Sequence, residues 1–277
     1  MEKRSIVWGA CWFNESIDTL VAFFEKTMKS LNLMGYKVYP AIFAAKLEHN
    51  TNEIQYIKEK IENVQIIENN VNIYPNKNYG VAAIAEYAHV VKSNYLAIVD
   101  PDWNVIEYYS FISGILNPLE KEEAEIVIPN IGHEAGRSNY LVGKIAISLF
   151  YPEYVSVIKT AFPGSLIGCT EQIHKITSSK EYHYDWGGEW DIIAESIKNN
   201  YKIISLPIDV KNVRHRSNSS KILDAYQIWK AILSNDDIPN RYSNLLMYNK
   251  PITPLDELSE ILLKNERLAC CRSNRNN

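Results

Sequence analysis

The sequence lacks several features that would assign whole classes of protein. No run of about 18 uncharged apolar residues occurs, so no membrane-spanning helix is expected. The start, MEKRSIVWGACWF, carries charges and then a short apolar run without a signal-peptide cleavage pattern. It reads as a first strand, and a cytoplasmic location is expected. Cysteine is scarce. Cys11, Cys169, Cys270 and Cys271 match no zinc or redox spacing, and the adjacent pair makes a poor disulfide framework, so reduced thiols are expected. Basic charge is not in excess. A net charge of -4 leaves no electrostatic footprint for a nucleic-acid partner. No internal repeat is found.

What is present suits a globular α/β protein. With 46% hydrophobic residues in 277, the chain can build a large core. Tyrosine (18) and tryptophan (6) are plentiful; such rings line sugar sites, but filling the core is their simpler use. Strand and helix signals alternate. Ser5 to Cys11 reads as a strand, and Ser16 caps a helix with Ile17, Leu20, Val21, Phe24, Met28 and Leu31 on one face. Lys37–Phe43 and Val64–Ile67 read as strands, with a charged helix over Glu53–Asn63 between them. Gly80 opens a helix, and Tyr95–Val99 is a buried strand running into Asp100. Ile126–Pro129 reads as a strand, and the stretch from Gly136 to Ile176 as a long helix followed by irregular structure. Trp190, Ile193, Ala194 and Ile197 mark another helix, and Lys202–Pro207 another strand. Two helices follow His215, the second capped by Thr253 with Pro254 at its first position. This alternation argues for a Rossmann-like, mostly parallel mixed sheet flanked by helices. Ligands of such sheets bind beyond the carboxyl ends of the strands.

Asp100-Pro101-Asp102 stands at such a strand end. Two carboxylates one residue apart can share Mg²⁺ or Mn²⁺ with substrate phosphates, although Asp-Pro-Asp is also ordinary turn chemistry. His215 can complete a metal's coordination or be a solvated surface histidine. Its neighbours Arg214 and Arg216 suit a phosphate or carboxylate. Glu189 and Asp191 follow Gly187-Gly188 at a helix start; they can accept from a hydroxyl, or simply complement the helix dipole. Lys77 can approach a pyrophosphate or be a plain loop lysine.

The order of these elements resembles nucleotide-sugar transferases of the GT-A fold. Ser5-Ile6-Val7 through Asn14-Glu15 is similar to their opening strand and donor-base loop, Lys77–Ala88 to their phosphate-side helix, and Tyr95–Trp103 to their metal-binding strand end. In the second half, Gly136-Arg137-Ser138-Asn139-Tyr140-Leu141, Leu149–Glu153, Pro163-Gly164-Ser165, Tyr184–Glu189 and Val213–Arg216 resemble, in order, the mannosylglycerate and glucosyl-phosphoglycerate synthases. The resemblance spans roughly residues 5–218. It implies a retaining transfer of glucose or mannose from a GDP- or UDP-sugar to a small acceptor such as glycerate or phosphoglycerate. It implies Asp102, His215 and Asp100 around Mg²⁺ or Mn²⁺, and Asn14, Glu15, Lys77, Gly80, Asp100 and Arg216 on the donor. Arg137, Asn139 and Ser217 would meet the acceptor, with Glu189, Asp191 and the carbonyl near Gly164 at the reacting centre.

There are departures. The families' Pro-Leu-x-Gly-Glu loop is here Pro163-Gly164-Ser165-Leu166-Ile167, and Asn139 replaces an acceptor-side threonine. The expected organisation is a catalytic domain over 1–218, its donor half to about 130 and its acceptor half beyond. A helical extension over 219–265 and a disordered tail over 266–277 would follow. A homodimer is left open. Two alternatives stand beside this reading. One is an inverting glycan-chain transferase using Glu189 or Asp191 as base; the other is a degenerate nucleotide-sugar-binding protein. A nucleotidylyltransferase fits poorly, because Ala10-Cys11-Trp12-Phe13-Asn14 is no Gly-rich phosphate cradle.

Overall fold

The structure, a computed structural model, describes residues 4–45, 51–70, 77–131, 139–212 and 218–234. The central strand β1 (Ser5–Trp12) is buried along its whole length, which its unbroken apolar sequence dictates. Its side chains alternate between faces. Val7 and Cys11 join one core cluster, and Ile6, Trp8, Ala10 and Trp12 the other.

Helix α1 (Ile17–Leu33) starts where Ser16 Oγ accepts from Thr19 N. It is followed by β2 (Lys37–Ala44), α2 (Thr51–Lys60), β3 (Gln65–Glu68), α3 (Lys77–Val90) and β4 (Tyr95–Ile98). Then come β5 (Trp103–Val105), α4 (Tyr108–Glu120), β6 (Ile126–Asn130), a π-helical turn over Asn139–Gly143 and α5 (Lys144–Phe150). The described chain continues through β7 (Leu166–Cys169), α6 (Thr170–Thr177), α7 (Gly187–Lys198), β8 (Ile203–Pro207), β9 (Val210–Asn212) and α8 (Asn218–Ser234).

Seven strands form one sheet in the order β3-β2-β1-β4-β7-β6-β8. Only β7 runs antiparallel, to β4 on one side and β6 on the other. The order turns back between β1 and β4, and a switch of this kind opens a crevice at the strands' carboxyl ends. Helices α1, α2 and α4 contribute to the core on one face, and α3, α5, α6, α7 and α8 to the core on the other. A separate ribbon pairs β5 with β9, Trp103 opposite Asn212.

Three readings of the sequence are corrected. Helix α4 was not anticipated; its cap is Glu107, whose carboxylate accepts from Tyr109 N and Ser110 N, an unusual residue for that position. The region after 139 holds short helical pieces rather than one long helix, and Leu166–Cys169 is a strand, paired with β4 along its whole length and with β6 at Ile167 and Gly168. Helix α3 begins at Lys77, three residues before Gly80. From Asn218 the described chain forms α8. Ile228, Ala231 and Ile232 are buried in the same cluster as Trp190 and Ile193. The helix placed at Thr253–Pro254 lies outside the described residues. Among the described residues no helix is long and apolar enough to cross a membrane.

Candidate functional site

Four elements meet at the carboxyl end of β4. The strand's ladder extends past Ile98 through Val99 N, which donates to Gly9 O, and the chain then turns as Trp103 N donates to Asp100 O. That turn aims Asp100 at the first residue of α3. Lys77 is buried, and its Nζ donates to Asp100 Oδ1 at 2.8 Å, Asp100 Oδ2 at 3.1 Å and Gly164 O at 2.9 Å. Glu189 Oε1, in the first turn of α7, lies 3.9 Å from the same nitrogen. Burial alone would lower the Lys77 pKa, but Asp100 and Glu189 outweigh it and raise it, so the ammonium stays charged.

Two glycines make this approach possible. Gly164 has φ +79, and a Cβ there would sit 2.5 Å from Asp100 Oδ2. At Gly188 a Cβ would lie 2.3 Å from His183 O and 2.8 Å from Asn78 Cγ, so a side chain would hold α7 away from α3. Asp185 fastens the start of α7: its Oδ1 accepts from Gly187 N at 2.8 Å, and its backbone carbonyl accepts from Asn78 Nδ2. Burial pushes the Asp185 carboxyl up from its ordinary value. Below the polar cluster the cleft is walled by Val81, Ile98, Ile126, Ile128, Leu166 and Ile192, which keeps the local dielectric low and the charges strongly coupled.

The residues singled out in the sequence divide by place. Asp100, Lys77, Gly164 and Glu189 converge. Asp102 is partly buried and directly precedes β5, whose pairing with β9 sets Asn212 opposite Trp103. His215, Arg216, Ser217 and Arg137 lie outside the described residues. Asp191 is separate from the cluster, and its carboxylate accepts from His183 N at 2.7 Å and pairs with His183 Nδ1 at 2.9 Å. That hydrogen bond raises the His183 pKa against the opposing effect of burial. Asn139 is buried and its Oδ1 accepts from Ala161 N at 2.6 Å, so that oxygen is committed to the backbone. Gly80 packs α3 on the sheet, where a Cβ would meet Phe43 Cδ1 at 2.3 Å and Cys11 Sγ at 2.9 Å. Asn14 is exposed, and Glu15 accepts from Phe13 N at 2.8 Å and Asn14 N at 3.1 Å, shaping the loop after β1. Asn78 and His183 escaped the sequence reading, and Trp186 entered it only as part of the Tyr184–Glu189 motif, without a role; the buried Asn78 and the Trp186 ring, 5.8 Å from Lys77 Nζ, both belong to this corner.

The donor set suits a hard cation. Asp100 and Asp102 supply carboxylate oxygens one residue apart, the ligand type that Mg²⁺ and Mn²⁺ share with phosphates. Among the described residues no three His, Cys, Asp or Glu side chains converge on a metal position. A cation here would draw its remaining ligands from a bound diphosphate or from residues outside that set.

No protein-family model and no curated protein matches the chain. Solved structures do. A mycobacterial protein aligns with a TM-score of 0.64 at 14% identity, over 83% of this chain and 74% of its own. Glucosyl-3-phosphoglycerate synthase from Mycobacterium tuberculosis, in complex with phosphoglyceric acid, aligns with a TM-score of 0.62 at 16% identity, over 83% and 79%. The same enzyme holding Mn²⁺, UDP-glucose and phosphoglyceric acid aligns equally well, with a TM-score of 0.62 at 16% identity over 83% and 79%. The chain therefore has the GT-A fold expected from its sequence.

Proposed function

We propose that the chain is a metal-dependent glycosyltransferase moving glucose or mannose from a UDP- or GDP-sugar to a hydroxyl of a small acceptor. The observation that carries this reading is the convergence of Lys77, Asp100, the Gly164 carbonyl and Glu189 at the carboxyl end of β4. Support comes from the shared fold of a synthase whose complexes hold Mn²⁺, UDP-glucose and phosphoglyceric acid.

In this reading Asp102, Asp100 and His215 hold Mg²⁺ or Mn²⁺. Bound there, the cation supplies charge neutralisation on the departing diphosphate. Lys77 adds a second positive charge beside Asp100 and keeps the strand end, the Gly164 loop and α7 in one arrangement. Glu189 and the Gly164 carbonyl flank the sugar's reacting carbon. The bond from that carbon to the diphosphate oxygen breaks, and a bond to the acceptor oxygen forms on the same face. The hydroxyl proton goes to the leaving diphosphate. Asp191 serves α7 through His183 and is not assigned to the chemistry. The apolar walls exclude water, which protects the transfer from hydrolysis.

The test is calorimetric titration of UDP-glucose, GDP-glucose and GDP-mannose, with and without Mn²⁺. Binding that depends on the cation is expected. If no nucleotide sugar binds under either condition, the reading fails. Product stereochemistry then separates retention from inversion, which would make Glu189 the base.

A further inference from the structure

The rings of Tyr79, Tyr184 and Trp186 gather beside Lys77 and Asn78, two residues that line the cleft, and have no role in the donor chemistry above. Tyr184 is 41% exposed, yet it is not loosely held. The Tyr182 and Tyr79 rings meet it edge-on, with centroids 5.6 Å and 5.7 Å away. Both neighbours are anchored. Tyr182 is buried and donates to Asn78 Oδ1, and Tyr79 packs on Phe43 of β2 at 5.8 Å. Two residues after Tyr184, Trp186 sets its ring 5.8 Å from Lys77 Nζ. Asp185 between them is pinned through Gly187 N and Asn78. Tyr184 and Trp186 therefore lie along the first turn of α3, one against Tyr79 and the other against Lys77. A ring kept at the surface forfeits the gain of burial, and one held rigid there presents contact area at little entropic cost.

The charges around these rings select among ligands. Lys77 is the one cation among the described residues lining the cleft, and Asp100 and Glu189 already engage it. Asp185 and Glu189 are acidic neighbours, and Asn139 has its oxygen committed to Ala161 N. Among the described residues the lining thus offers no further cation to an acceptor's carboxylate or phosphate, and the exposed ring suits a neutral partner with many hydroxyls. The apolar C–H face of a pyranose stacks on an aromatic ring, while its hydroxyls can donate to nearby carboxylates.

We propose that Tyr184 and Trp186 form the acceptor subsite and that the acceptor is a neutral pyranoside rather than a small anionic acid. This rests on the glycosyltransferase reading for the word acceptor, but the subsite itself can be read without any donor. The probes are methyl α-glucopyranoside, methyl α-mannopyranoside, glycerate and 3-phosphoglycerate, followed by saturation-transfer NMR on the full chain. A methyl hexoside should bind and both acids should not. Tyr184→Ala and Trp186→Ala should each weaken that binding about tenfold, the equivalent of one stacking contact. Tyr184→Phe keeps the ring and should stay within about twofold.

Calorimetry with UDP and GDP in Mn²⁺ runs in parallel, and the nucleotide Kd should not move in Tyr184→Ala or Tyr184→Phe. Binding of the acids but of neither hexoside by the wild-type chain overturns the proposal, and needs no variant to fold. So does a loss of nucleotide affinity in Tyr184→Ala, which would make the rings a nucleobase platform. Hexoside binding untouched by either alanine variant also overturns it. Nucleotide-sugar binding without hexoside binding sinks this subsite alone. Hexoside binding without nucleotide-sugar binding sinks the transferase reading instead.

Discussion

Replacing Lys77 by Met keeps the length of the side chain and removes its charge. In the native site Nζ lies 2.8 Å from Asp100 Oδ1 and 3.9 Å from Glu189 Oε1. At an effective dielectric of about 20 the Coulomb attraction is roughly 6 kcal/mol for the first pair and 4 kcal/mol for the second, so Asp100 is the dominant partner. Desolvation cancels much of this. Removing one member of a buried pair costs about 3–5 kcal/mol, because the other charge is left stranded. Asp100 keeps 30% of its side-chain surface and Glu189 14%, so water relieves part of the penalty. A loss of about 2–3 kcal/mol is expected, or a fall in Tm of roughly 4–6 °C for a protein of this size. Urea unfolding of the single variants and of Lys77→Met/Asp100→Asn completes a double-mutant cycle. The double variant should recover most of the loss, since no stranded carboxylate remains at Asp100. Strictly additive effects would refute the argument, because they would mean that Lys77 and Asp100 do not act as a pair.

Three further outcomes follow from the same geometry. Gly164→Ala forces a side chain into positive φ and against Asp100; it should cost about 1–3 kcal/mol in urea unfolding and weaken Mn²⁺-dependent nucleotide binding, and intact nucleotide binding would count against the loop's place in the site. Gly80→Ala should cost about 1–3 kcal/mol by overpacking Phe43 and Cys11, while the nucleotide Kd of the folded fraction stays unchanged if the residue only packs. His183 has a raised folded pKa, so the Asp191 pair contributes fully below the ordinary value of 6.5 and its contribution is lost as pH rises through the folded value. The urea midpoint of the wild-type chain should therefore fall towards that of His183→Gln as pH rises from about 6, and parallel pH curves for the two would show that the pair contributes nothing.

Much of the fold was legible because periodicity reports burial. The eight residues of β1 are buried on both faces, and their unbroken apolar run says so. Helix α4 was missed, although Phe111, Ile112, Ile115, Leu116 and Leu119 keep helical spacing and are all buried; its glutamate cap gave no start signal. Strand β7 was missed because four residues, Leu166–Cys169, carry too little pattern to tell strand from loop. Its pairing with β4 and β6 decides its state.

The site divides along the same line. Asp100 was legible as a carboxylate at the end of a buried strand, and Glu189 as one at a glycine-led helix start. Both inferences needed only local order. By itself the sequence determined an α/β sheet with acidic groups at a strand's carboxyl end, because side-chain period and strand-end position are local properties. Only the tertiary structure decided that Lys77 joins Asp100 to Gly164, which lies 87 residues beyond Lys77, and that Asp191 belongs to His183. It also decided that Asn139 serves Ala161, and that Tyr184 meets Tyr79. Contacts across that much chain depend on which strands pair and which helix faces meet, and no spacing along the chain encodes those distances.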